Sequence, residues 1–139
     1  MQYVLADTGV WFAMFYRGDQ HAEEIEEKSE LFDRCRVVLP WPTLYEALRT
    51  KMMRNRYALQ RFKSFLRQPH VQYLDDNSYR EEALELAFES SLRQCRPLSM
   101  VDCLIRLVLA DVNVKLDYLA TFNNKDFADV CKTRGIELI

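Results

Sequence analysis

Short apolar runs alternate with stretches of helical periodicity along the whole chain, and that alternation restricts its fold more than any other feature. The runs are Tyr3–Ala6, Arg36–Pro40, Val71–Leu74, Asp117–Thr121 and Ile136–Ile139. Each is short and bounded by turn residues, and each reads as a strand. Gly9–Tyr16 is strongly apolar and begins a helix, which Arg17-Gly18-Asp19 breaks. His21–Arg34 reads as one acidic helix with a thin apolar stripe of Ala22, Ile25, Leu31 and Phe32. Pro42 suits the first turn of a helix that runs to about Arg54. Tyr57–Arg67 is a basic amphipathic helix ended by Pro69. Ser78-x-x-Glu81 has the form of a capping box and opens a helix to about Arg93. Ser99-x-x-Asp102 opens another that continues to Ala110, apolar on most faces and therefore central. Asn123–Phe127 is a turn into a short helical piece. Strands alternating with helices predict an α/β fold with right-handed crossovers, a three-layer α/β/α sandwich around a parallel sheet of about five strands.

At 139 residues the chain is read as a single domain, 1–139, and its apolar fraction of 49% excludes disorder. No apolar run approaches the roughly 20 residues that span a bilayer. No basic segment followed by an apolar one opens the chain, so a cytoplasmic protein with no membrane partner is expected. Cys35, Cys95, Cys103 and Cys131 form no CxxC pair, which argues against structural zinc and for ordinary thiols, with Cys103 buried in a helix. Three glycines leave no glycine-rich phosphate loop.

The acids of interest sit where strands end. Asp7 directly follows the first strand, Glu46 lies in the first turn of the helix after the second, Asp102 in the first turn of the central helix, and Asp126, with Asn123, follows the fourth. In an open α/β sheet, ligands bind outside the carboxyl ends of the strands. Clustered carboxylates raise one another's pKa unless a cation neutralises them. Hard divalent cations take oxygen ligands, and the chemistry suited to such a cluster is metal-assisted hydrolysis of a phosphodiester. Each residue also has a plainer use. Asp7 can cap a helix, Glu46 and Asp102 can favour helix N-termini, and Asp126 can be a turn residue.

Charge is unevenly spread. Seven acids lie between Asp19 and Asp33, opposed only by Lys28, whereas Ala47–Leu74 contains no acid and carries Arg49, Lys51, Arg54, Arg56, Arg61, Lys63 and Arg67. The basic block suits a phosphate-bearing partner. The alternative is a face that pairs with the acidic segment.

The spaced pattern LADTGVW, PTLYEAL, PLSMVDCLI and YLATFNNKDF resembles a PIN domain, and in size and layout the chain resembles stand-alone VapC-type toxin ribonucleases. The resemblance covers essentially the whole chain. It implies a Mg²⁺- or Mn²⁺-dependent endoribonuclease in which Asp7 and Asp102 are the principal metal ligands. Glu46 holds the metal through water or acts as base, and Asn123 and Asp126 complete the acidic pocket. Thr8, Ser99 and Thr121 orient ligands or contact phosphate, and Arg49, Lys51, Arg54, Arg56, Arg61 and Lys63 hold the RNA backbone. It also implies a small antitoxin partner, as in type II toxin–antitoxin pairs, and a homodimer. His21, within DQHAE, resembles the histidine of a recurrent D-x-x-H, with one residue rather than two after Asp19, and its role is packing or capping. One departure is Asn123, where many members carry Asp. It gives weight to the alternative of a non-catalytic PIN-like module that binds RNA or protein. A haloacid-dehalogenase phosphatase would want D-x-D after the first strand, where this chain has Gly9, and a receiver domain would want paired acids that Asp7 alone does not supply.

Overall fold

The computed structural model describes residues 1–139. In chain order the elements are β1 (Tyr3–Ala6), α1 (Thr8–Phe15), α2 (Ala22–Glu26), α3 (Ser29–Arg34), β2 (Arg36–Pro40), α4 (Trp41–Ala47), α5 (Arg56–Leu66), β3 (Val71–Leu74), α6 (Arg80–Leu92), α7 (Met100–Ala110), β4 (Tyr118–Ala120), α8 (Asn124–Arg134) and β5 (Glu137–Leu138). All five strands are parallel, in the order β3-β2-β1-β4-β5. The α/β sandwich expected from the alternation is present. No helix is long and apolar enough to cross a membrane.

Side-chain alternation along the strands builds two cores. Val4, Ala6, Val37, Leu39 and Ala120 face one way, against Trp11, Phe15, Phe32, Met52 and Phe62 from the α1–α5 side. Leu5, Val38 and Leu119 face the other, against Leu104, Ile105, Val108, Leu109 and Phe127. Helix α7 packs between α6 and α8, central as its apolar pattern predicts, and Cys103 is buried in it. The strand order runs outward from β1 in both directions, so the topological switch lies between β1 and β4. Such a point opens a crevice at the carboxyl edge of the sheet.

The helix expected over His21–Arg34 is two helices, with the break at Glu27 and Lys28. Glu23 with Glu27, and Glu26 with Glu30, would be like charges four apart in a continuous helix, which opposes its continuation. The helix expected to reach Arg54 ends at Ala47, and a 3-10 turn covers Lys51–Arg54. Thr50 Oγ1 donates to the Ala47 carbonyl at 2.7 Å and accepts from Met52 N at 3.3 Å, so one side chain ends the first helix and caps the turn. Ser78 does not cap α6. A 3-10 turn over Asn77–Tyr79 precedes the helix, and Arg80 reaches back to Asp76, which is buried. Helix α8 runs eleven residues rather than a short piece, because Phe127 and Cys131 bury one face and Gly135, at φ 68°, closes it in the left-handed conformation. The last strand is two residues long, although Ile139 N still donates to the Leu119 carbonyl at 2.9 Å.

Candidate active site

Asp7 extends β1 past its last paired residue. Its amide donates to the Ala120 carbonyl at 2.9 Å, so the pairing with β4 sets the carboxylate beside Thr121 at the topological switch. Asp7 is also the residue that starts α1. Its Oδ1 accepts from the Thr8 amide at 2.7 Å and its Oδ2 from Thr121 Oγ1 at 3.3 Å. Capping and placement in the crevice are therefore two consequences of one position.

Glu46 lies in the last turn of α4 rather than the first, because the helix starts at Trp41 directly from β2 and ends at Ala47. Thr8 Oγ1 donates to Glu46 Oε1 at 2.7 Å, which ties the first turn of α1 to the end of α4. Asp102 comes from the start of α7, where Ser99 and Asp102 form the capping box read from the sequence. Asp102 N donates to Ser99 Oγ at 3.1 Å, and Ser99 N to Asp102 Oδ2 at 3.3 Å. Asp102 and Glu46 are close enough for their charges to act on Asp7. Burial pushes the Asp7 carboxyl up to about 6, and the charges of Asp102 and Glu46 push the same way against the Thr8 amide and Thr121 hydroxyl. No lysine or arginine is paired with any of the three.

An all-carboxylate donor set with no basic partner suits a hard divalent cation. As the side chains stand, no three donors close around one point. Glu46 is turned to Thr8 and Asp102 to its own helix start. Mg²⁺ typically uses only one or two carboxylates and keeps several waters, so this set fits it.

Thr121 is buried and accepts from the Asn123 amide at 3.0 Å. Asn123 starts α8 without a side-chain cap bond, which leaves its exposed amide group unengaged by the helix. Asp126 lies in the first turn of α8 and is not among the charges that bear on Asp7. Its carbonyl accepts from Arg96 at 3.2 Å and Arg106 at 2.7 Å, and its charge acts on Arg106. His21 makes no side-chain cap bond. Its ring stacks on Phe122 at 4.0 Å and 13°, so of the two roles packing is the one it has. Phe122 was not singled out by sequence, and the only signal for it is an aromatic directly after Thr121.

The basic block divides in the fold. Arg54, Arg56 and Lys63 line an open groove of about 370 Å³ with Met53, Leu59 and Gln60. Arg49 and Lys51 are exposed. Lys51 and Arg54 lie near Tyr16, at the far end of α1, so this patch begins about 12 Å along that helix from Asp7. Arg61 does not stand free with them. Its guanidinium lies 5.6 Å from the rings of both Phe15 and Tyr57, and it faces Glu23 and Glu26 across a groove of about 470 Å³. The basic and acidic segments meet there without an ion pair.

The family model described as the PIN domain matches residues 4–133, from within β1 nearly to the end of α8. A search of curated proteins finds no match to the chain.

Proposed function

We propose, for a chain that belongs to the PIN domain family, that it is a Mg²⁺- or Mn²⁺-dependent endoribonuclease, with residues 1–139 acting as one nuclease domain. PIN domains are generally nucleases, and the general class is phosphodiester hydrolysis. The observation that carries the finer reading is Asp7. A buried carboxylate lies at the sheet's switch point, beside Asp102 and Glu46, with its pKa raised and no cation of the protein's own to balance it.

Asp7 and Asp102 would hold the ion, with Glu46 reaching it through water. When bound, the ion neutralises charge on the phosphate and lowers the pKa of a water. Thr8 and Thr121 fix the Asp7 oxygens, so the carboxylate is oriented before substrate arrives. Thr8 occupies Glu46 Oε1, which leaves Oε2 to take a proton from the attacking water. Ser99 holds Asp102 against its helix start, and the Asn123 amide offers donors to a non-bridging phosphate oxygen. Asp126 is half-buried and adds negative charge at the edge of the pocket. Arg49, Lys51, Arg54, Arg56 and Lys63 hold backbone phosphates of RNA leaving the pocket along α1, a contact that carries little sequence information. Arg61 contributes mainly by packing.

On this reading the chain is a VapC-type toxin of a type II toxin–antitoxin pair, acting in the cytoplasm as a homodimer and held in check by a small antitoxin. The layout resemblance supports that role.

The test is cleavage of single-stranded RNA by the purified protein with Mg²⁺ or Mn²⁺, beside Asp7→Asn and Asp102→Asn. The expected result is metal-dependent cleavage lost in both variants. No cleavage of any RNA, with no metal binding by calorimetry, would leave a module that binds without cutting.

A further inference from the structure

We propose that the outward face of α4, together with Tyr73 of β3 and Arg80 of α6, is a stacking platform for unpaired RNA bases beside the acidic pocket. The inference rests on the nuclease reading and names its substrate class as single-stranded RNA.

Three large aromatic rings are left in solvent at one place. Trp41 is 43% exposed, Tyr45 72% and Tyr73 40%. Trp41 and Tyr45 are four residues apart on one helix and share a face. The Trp41 ring stacks on Tyr73 at 5.0 Å and 22°, and the Tyr73 hydroxyl donates to the Leu66 carbonyl at 3.1 Å. That pair is held in place rather than free to swing, so a base that stacks on it meets a surface already ordered.

The same surface carries the Arg80 guanidinium. Arg80 donates to buried Asp76 through Nε at 2.9 Å and Nη2 at 3.2 Å, a fork that fixes the guanidinium while its side chain stays 55% exposed. The Asp75 carboxylate and the Tyr45 hydroxyl both lie within its electrostatic reach. Its remaining N–H groups suit a phosphate, and the rings suit base faces.

Position supplies the last argument. Tyr45 immediately precedes Glu46, which bonds Thr8 beside Asp7. Tyr73 lies near the carboxyl end of β3, two strands from β1, and at ~4.8 Å per strand the platform's edge is about 10 Å from Asp7. It is on the same sheet edge as the acids, whereas the Arg54–Lys63 groove lies beyond the opposite end of α1. Base faces inside a duplex are already stacked on one another, so such a platform discriminates for unpaired strands.

The chain's two tryptophans make this measurable, because Trp11 is fully buried and Trp41 is not. The experiment titrates the full chain, carrying Asp7→Asn to prevent cleavage, with a mixed-sequence single-stranded RNA oligonucleotide and with its duplex. Single strand should quench tryptophan fluorescence and duplex should not. Tyr45→Ala should weaken single-strand binding about tenfold, the scale of one lost base stack, with duplex binding unchanged. Tyr45→Phe keeps the ring and should keep the affinity. With Asp7 intact, Tyr45→Ala should raise KM with little change in kcat. Unchanged single-strand affinity in Tyr45→Ala, in a chain that still cleaves RNA, overturns the platform while leaving the nuclease reading intact. So does a Tyr45→Ala chain that binds RNA normally but no longer self-associates in sedimentation, because the face then belongs to a protein. A wild-type chain that neither binds nor cleaves RNA overturns both.

Discussion

Asp7 and Asp129 are two carboxylates given opposite treatment. Asp129 is 57% exposed, yet Arg106 donates to both its oxygens at 2.7 Å and holds its carboxyl well below the usual range. Asp7 is 7% exposed, has two carboxylates for neighbours and no arginine, and its carboxyl is pushed up to about 6. The cation goes to the acid that needs it less. The α7–α8 region uses its arginines as cross-links. Arg106 also binds the Asp126 carbonyl, and Arg134 binds the carbonyls of Leu109, Asp111 and Val114. That layer is complete in itself. The pocket at the sheet edge is left with a charge imbalance that an outside cation can relieve.

The largest expected effect comes from removing the imbalance. Asp7→Asn should lower the rate of RNA cleavage by at least about a hundredfold, the scale of losing one transition-state-stabilising group. It should also raise metal-free stability at pH 7.5 by on the order of 3 kcal/mol, since the folded chain no longer ionises a buried acid. Loss of stability in that variant, by denaturant titration, would break the comparison.

The second expectation is the pH profile of the wild-type chain in chelator. The Asp7 carboxyl is raised in the folded state from 3.8 to about 6, so the folded chain binds the extra proton between those values. Stability should be greatest near pH 4 and fall as pH rises through 6, again by on the order of 3 kcal/mol, and Asp7→Asn should flatten that fall. Asp129 has the opposite sign. Its lowered carboxyl contributes above 3.8 and loses its contribution as pH falls. Added Mg²⁺ should raise Tm more above pH 6 than below it.

Arg106→Ala tests the self-sufficient region. It should cost about 1–2 kcal/mol, a charged hydrogen bond discounted for the exposure of Asp129, with cleavage per folded molecule changed by less than about threefold. The smallest effect belongs to Ser99, which serves both regions by starting α7 and holding Asp102. Ser99→Ala should cost about 1 kcal/mol of stability and raise the Mg²⁺ concentration that gives half-maximal cleavage.

The strands, the place of Asp7 at the end of β1 and the Ser99-x-x-Asp102 start of α7 were legible because a short apolar run followed by Asp, or a capping pattern, depends only on neighbours in sequence. The end of α4 was not, since it turns on the Thr50 hydroxyl choosing the Ala47 carbonyl. Nor was the break at Glu27 and Lys28, where like charges outweigh an apolar stripe. Arg61 reads as one more cation in a basic helix, and only the fold brings Phe15 from another helix against it. Asp126 is recognisable as an acid after a strand, but the anchoring of its carbonyl by Arg96 and Arg106 depends on packing between α7 and α8.

The central place of β1 in the strand order also governs timing. The bond between Thr121 and Asp7 spans 114 residues, and β4 is the strand that completes the crevice. A chain emerging from the ribosome carries Asp7 and Glu46 long before it carries Asp102 and Thr121. N-terminal segments fold first during synthesis, and distant pairings form last. The acidic pocket is therefore assembled only after Thr121 has left the ribosome, and a shorter nascent chain carries the first two acids without the crevice that gathers them.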